Sequence, residues 1–93
     1  MERVTIFVSG RVQGVGFRWW IRGRALELGL VGFARNRADG RVEICAQGSL
    51  EAIERLRQLI EEEPSSAGRP GRVQECAVHS ADLKEGLSGF HEW

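Results

Sequence analysis

From Arg3 to Ser9 the chain alternates. Val4, Ile6 and Val8 fall on one face, with Thr5, Phe7 and Ser9 on the other, the period-two pattern of a half-buried strand. From Phe17 to Leu28 the period changes. Phe17, Trp20, Ile21, Ala25 and Leu28 recur at helical spacing and Arg18, Arg22 and Arg24 fall elsewhere, which predicts an amphipathic helix. Gly23 costs that helix about 1 kcal/mol relative to Ala, and Gly29 supplies its C-terminal stop. A second strand is predicted over Val31 to Asn36 and a third over Arg41 to Gln47, joined by the turn Arg37-Ala38-Asp39-Gly40, so these two are antiparallel neighbours. Ser49 is the expected N-cap of a second helix with Leu50, Ile53, Leu56 and Ile60 as its buried stripe. Glu61-Glu62-Glu63 trails it before Pro64, and acids at a helix C-terminus oppose the dipole, so fraying is expected there. Pro64 to Gly71 reads as a mobile loop. A fourth strand follows over Val73 to Ser80, then a turn near Lys84 to Gly89, and Phe90 to Trp93 is a candidate short terminal strand.

The order β-α-β-β-α-β predicts an α+β fold of the split βαβ, ferredoxin-like type. Two right-handed crossovers would put both helices on one face of a four-stranded antiparallel sheet. Ninety-three residues, 42% hydrophobic and 28% charged, fit a single domain over 1–93. No apolar run approaches a membrane span, and Met1-Glu2-Arg3 leads straight into a strand pattern rather than a signal peptide. The expectation is a cytoplasmic protein with no membrane partner, and a monomer.

Charge changes the picture more than composition does. Residues 1–47 carry +4 and residues 48–93 carry −4 within a net charge of zero. A basic half suits a small anionic ligand better than nucleic acid, which calls for a net basic domain. A sheet-surface RNA binder would also need exposed aromatics on its central strands, and Phe7 alone qualifies. Cys45 and Cys76 lack CxxC spacing and fall on opposite strand faces, so they read as free structural thiols rather than a disulfide or a zinc site.

The candidate chemistry lies between the first strand and the first helix, in Ser9-Gly10-Arg11-Val12-Gln13-Gly14-Val15-Gly16-Phe17-Arg18. A Gly-rich turn can aim successive N–H groups at one point, and a helix opening directly after it adds unpaired N–H groups and the positive end of its dipole. Arg18 would contribute a planar fork of donors that matches phosphate or carboxylate oxygens. The spacing is neither a P-loop nor a dinucleotide fingerprint. An ordinary turn with a solvated arginine is the plainer alternative. No Ser-His-Asp or Cys-His set accompanies the loop, and His79 and His91 lie late in the chain, so an enzyme here must work by positioning and electrostatics. Phosphoryl transfer suits that inventory. Asn36, before the hairpin, has an amide able to hold a water by accepting and donating; a turn residue bonding its own backbone is the alternative reading.

Taken together, Gly10-x-Val12-Gln13-Gly14-Val15-Gly16-Phe17-Arg18, Ala25-x-x-Leu28-Gly29-Leu30-x-Gly32, Asn36-x-x-Asp39-Gly40-x-Val42-Glu43, Gly48 and Ser88-Gly89-Phe90 resemble the acylphosphatase family along essentially the whole chain. The resemblance implies a small cytosolic hydrolase that splits acyl phosphates into a carboxylate and inorganic phosphate with no metal and no other cofactor. It implies that Gln13, Gly14, Val15, Gly16, Phe17 and Arg18 hold the phosphoryl group, and that Arg18 and Asn36 are the catalytic pair, Asn36 orienting the attacking water. A noncatalytic phosphate-binding regulatory module of the same fold is the alternative. The Pro64–Gly71 loop looks long for the family, and Phe90-His91-Glu92-Trp93 departs from its usual ending, which leaves the last strand and any terminal contact near the site in question.

Overall fold

The computed structural model describes residues 1–93. Its elements run β1 (Glu2–Arg11), α1 (Phe17–Glu27), β2 (Val31–Asn36), β3 (Val42–Gly48), α2 (Leu50–Glu61), β4 (Arg72–Ala81) and β5 (Phe90–Glu92). The sheet order is β4-β1-β3-β2-β5. The first four strands are antiparallel neighbours, as the sequence pattern predicts.

The terminal segment does form a strand, and it pairs parallel to β2 with Phe90 opposite Gly32. The sheet is therefore five-stranded and mixed rather than four-stranded and antiparallel. Its direction follows from the preceding strand. Ala81 ends β4 opposite Arg3, at the start of β1, and that end of the sheet is also where β2 begins, since Arg3 and Val31 both lie opposite Gln47. A chain crossing that end to the far edge has to set out alongside β2.

Both helices cover one face. Ile6 and Val8 of β1, Ala34 of β2 and Val42, Ile44 and Ala46 of β3 join Phe17, Trp20, Ile21 and Ala25 of α1 and Ile53, Leu56 and Ile60 of α2 in one buried cluster. At about 25 cal/mol per Å² of apolar area, each large side chain in it contributes about 1.5–3 kcal/mol. The two-tryptophan step in α1 divides as its period demands, with Trp20 buried and Trp19 exposed. In α2 the buried stripe is Ala52, Ile53, Leu56, Leu59 and Ile60, which leaves the predicted stripe member Leu50 at its margin, 58% exposed. Ser49 caps the helix as expected, its Oγ accepting from the Ala52 N–H at 3.1 Å.

Contacts made by Arg69 oppose the fraying and loop mobility expected after α2. Its guanidinium donates to the carbonyls of Ile60 at 2.7 Å and Glu62 at 2.6 Å, placing a buried cation at the negative end of the helix where the acids alone would be unfavourable. The loop is held from the other side by Trp20, whose indole N–H donates to the Ala67 carbonyl at 2.8 Å. Replacing Arg69 with Met leaves those carbonyls unsatisfied and is expected to cost roughly 2 kcal/mol of stability. Urea denaturation of the two proteins measures it; an unchanged midpoint would contradict this role.

No helix is long and apolar enough to cross a membrane. Cys45 and Cys76 are free thiols. Cys76 faces the helices, since it lies opposite Val8, and burial pushes its thiol up to about 11, the direction that removes nucleophilic character.

Candidate active site

The loop from Val12 to Gly16 leaves β1 and enters α1 with its apolar side chains turned inward. Val12 and Phe17 are buried, and Val15 packs against the core. Phe17 stacks on Trp20 with ring centroids 6.0 Å apart, so of this residue only the main chain is offered to a ligand. Gly14 and Gly16, between these anchors, have φ of 72° and 86°. A Cβ at either would meet nothing within 4 Å; conformation rather than crowding selects glycine here. Gly16 is the N-cap of α1, with no side-chain cap and no acid in the first turn. The N–H groups from Gly14 through Trp19 have no acceptor within the protein, the first ladder bond running from the Trp20 N–H to the Gly16 carbonyl. A run of unpaired donors is thus fixed by its own packed side chains at the positive end of a helix.

Gln13 does something the sequence did not signal. Its Nε2 donates to the Arg37 carbonyl at 2.8 Å and the Arg41 carbonyl at 2.9 Å, tying the loop to the hairpin that follows Asn36. The side chain of Gln13 is therefore engaged in joining the two segments rather than facing a ligand. Gln13→Ala removes both bonds and is expected to lower kcat about tenfold by loosening alignment, with a stability loss of about 1–2 kcal/mol. Steady-state kinetics beside a denaturation curve would test this, and a variant as fast as the parent would contradict it.

Asn36 ends β2 opposite the fully buried Val42. Parity with Ala34 puts it on the helix side of the sheet, at the end where β1 gives way to the loop, because Val8 also lies opposite Val42. The turn is closed without its amide: Arg37 N–H donates to the Arg41 carbonyl at 2.8 Å, and the Asp39 carboxylate accepts from the Arg41 N–H at 3.1 Å. The side chain of Asn36 is exposed and has no partner in the protein, which excludes the backbone-capping alternative.

Arg18 donates through Nη1 to the main-chain oxygen of Trp93. The Trp93 N–H in turn donates to the Ala34 carbonyl at 2.8 Å, so the oxygen that holds Arg18 stands one strand over and about one residue short of Asn36. Arg22, one turn on, holds the same strand by donating to the Phe90 carbonyl at 3.1 Å. The terminal segment is thus both a strand and a rest for Arg18. Contacts to main-chain oxygen leave no residue-type signal, and sequence reasoning had no means of finding this one.

Four of the eight arginines in residues 1–47 pair with carboxylates, Arg24 with Glu27 among them. Arg35 and Arg37 share Glu43, at 3.0 and 2.7 Å, and Arg41 pairs with Asp39 at 2.8 Å. Burial alone would raise the Glu43 carboxyl, but the hydrogen bonds from these two arginines outweigh it and hold the group below its ordinary range. Arg3, Arg11, Arg18 and Arg22 pair with no Asp or Glu. Of these, Arg18 stands on the first turn of α1, beside the run of unpaired N–H groups. No three His, Cys, Asp or Glu residues gather into a candidate metal site.

The Acylphosphatase family model matches residues 4–92. The chain belongs to the acylphosphatase family. An acylphosphatase of Mycobacterium sp. (strain JLS) is 56% identical over 90 residues, covering 97% of this chain and 92% of that protein. Among solved structures, the acylphosphatase from Bacillus subtilis superposes with a TM-score of 0.84 at 32% identity, covering 100% of this chain and 99% of the other. One from Coxiella burnetii gives 0.82 at 30% identity, covering 99% and 92%. As in those acylphosphatases, the scaffold is the ferredoxin-like one expected from the order of elements.

Proposed function

We propose that this acylphosphatase binds the phosphoryl group of an acyl phosphate with the main-chain N–H groups of the Gln13–Arg18 loop and the Arg18 guanidinium, and that Asn36 orients the attacking water. The observation that carries the reading is the run of unpaired N–H groups from Gly14 to Trp19, which fits three equatorial phosphoryl oxygens better than any neutral ligand. Such donors are preorganised. They need no rearrangement as charge shifts in the transition state, which is where electrostatic catalysis obtains its largest effect.

Asn36 supports the second half. Its amide can accept from one O–H of a water while donating to a substrate oxygen, and attack proceeds in line at phosphorus. The bond from water oxygen to phosphorus forms as the phosphorus–acyl oxygen bond breaks, and the carboxylate leaves with the electron pair. A carboxylate is a good leaving group, so no strong general acid is required, and a phosphoryl oxygen of the substrate takes the water proton. The same reading takes the protein as a cytoplasmic monomer acting on a small soluble substrate, with inorganic phosphate as product, without metal, cofactor, nucleic acid or membrane.

The test is release of inorganic phosphate from benzoyl phosphate by the pure protein in EDTA. A rate well above buffer is expected. Tight phosphate binding with no turnover would instead establish the noncatalytic anion-binding module.

A further inference from the structure

We infer that the chain carries a second anion site, on the sheet face away from the helices, for a small aromatic carboxylate. The feature that points to it is Arg3. Strand parity puts Arg3 with Thr5 and Phe7, opposite the core face of β1, yet the residue is only 8% exposed and its side chain has neither a hydrogen bond nor an ion pair in the protein. Its stem is packed, but its guanidinium nitrogens are not sealed in: they are unpaired and open to solvent on that face. Arg69, by contrast, uses its terminal guanidinium nitrogens inside the protein, on main-chain carbonyls and a carboxylate.

Arg3 lines a cavity of about 280 Å³ together with Phe33, Lys84, His91 and Trp93, and no carboxylate residue lines it. That volume is near the lower bound for small-molecule sites. The Lys84 ammonium also lacks a carboxylate within 4.0 Å. Phe33 and Trp93 stack at 4.2 Å between centroids and 14° between planes, making an aromatic wall beside the two cations. The cavity is built rather than incidental: buried Gln47, which lies opposite Arg3 across the strand pair, pins the roof by donating to the Lys84 carbonyl at 2.9 Å and accepting from the Lys84 N–H at 3.0 Å. A planar carboxylate matches the arginine fork, and a flat ring attached to it meets the aromatic wall. The Arg3 end of this surface is remote from the Gly14–Trp19 donors, which lie at the opposite end of β1, while its Trp93 wall adjoins Arg18 through the Trp93 main-chain oxygen.

Sodium benzoate is the probe, titrated into the isotopically labelled full chain with amide and indole N–H shifts as readout. Saturable shifts are expected at the Trp93 indole and at Gly86 and Ser88, unaffected by saturating inorganic phosphate. Benzamide, the neutral isostere, is expected to give none. Arg3→Met is expected to weaken benzoate by about tenfold or more while leaving hydrolysis unchanged. Should Arg3→Met fail to fold, Lys84→Met and the benzamide comparison carry the same decision. Absence of saturable shifts, equal binding of benzamide, or shifts confined to the Gly14–Arg18 loop and abolished by phosphate would each overturn the inference.

Discussion

Arg18→Gln is expected to lower kcat for benzoyl phosphate by at least about 10²-fold, with the fold intact. Two physical losses combine. The positive charge facing the transferring phosphoryl group disappears, and removal of one preorganised donor from a transition-state site typically costs 10²–10³ in rate, or roughly 3–4 kcal/mol. Gln also cannot present the bidentate fork that an arginine offers to a phosphoryl group. The side chain lies on the first turn of α1 and its one hydrogen bond is to the main-chain oxygen of Trp93, just past β5, so stability should change by less than about 1 kcal/mol. Kinetics and urea denaturation on one preparation separate the effects. Near-parental turnover in a folded variant would mean that the phosphoryl group is held elsewhere.

Asn36→Ala is expected to divide catalysis from binding. If Asn36 orients water, its loss lowers kcat by about 10²-fold or more through lost alignment, while inorganic phosphate, held by the loop and Arg18, binds within a few-fold of the parental affinity. The exposed side chain makes no contact that holds the turn, which Asp39 and the Arg37–Arg41 pair close, so a folding defect is not anticipated. Phosphate titration followed by amide shifts at Gly14 to Arg18 measures the binding arm. Loss of phosphate binding in step with kcat would make Asn36 a phosphate ligand instead.

Much of the scaffold was legible because its elements obey simple periods. The alternation in β1 and the 3.6-residue spacing of Phe17, Trp20, Ile21 and Ala25 are statements about which side of a strand or helix is dry, and burial follows them. The loop was legible as a candidate for a different reason: glycines directly before a helix can aim N–H groups at one point, although an ordinary turn reads the same locally and the match along the rest of the chain was needed to favour a site. What the sequence hid is contact between a side chain and a distant carbonyl. Gln13 reaching Arg37 and Arg41, Arg69 reaching Ile60, and Arg18 reaching Trp93 each depend on where the main chain passes, and every residue type offers the same oxygen. The charge pattern was incomplete in a related way: a run of arginines reads as a basic surface, yet Glu43 and Asp39 pair with three of them across the hairpin. Glu43 was visible in the sequence, but its two partners were fixed only by the register that puts Arg35 opposite it.

The pairing of an anion cradle with a water holder makes one claim above the others: water attacks phosphorus, not the acyl carbon. Hydrolysis of benzoyl phosphate in ¹⁸O-labelled water, with mass analysis of both products after a single turnover, tests it directly. The label is expected in inorganic phosphate, with the benzoate unlabelled. Label in the benzoate carboxylate would place the nucleophile at the carbonyl and contradict the roles of the Gly14–Arg18 loop as phosphoryl cradle and of Asn36 as water holder.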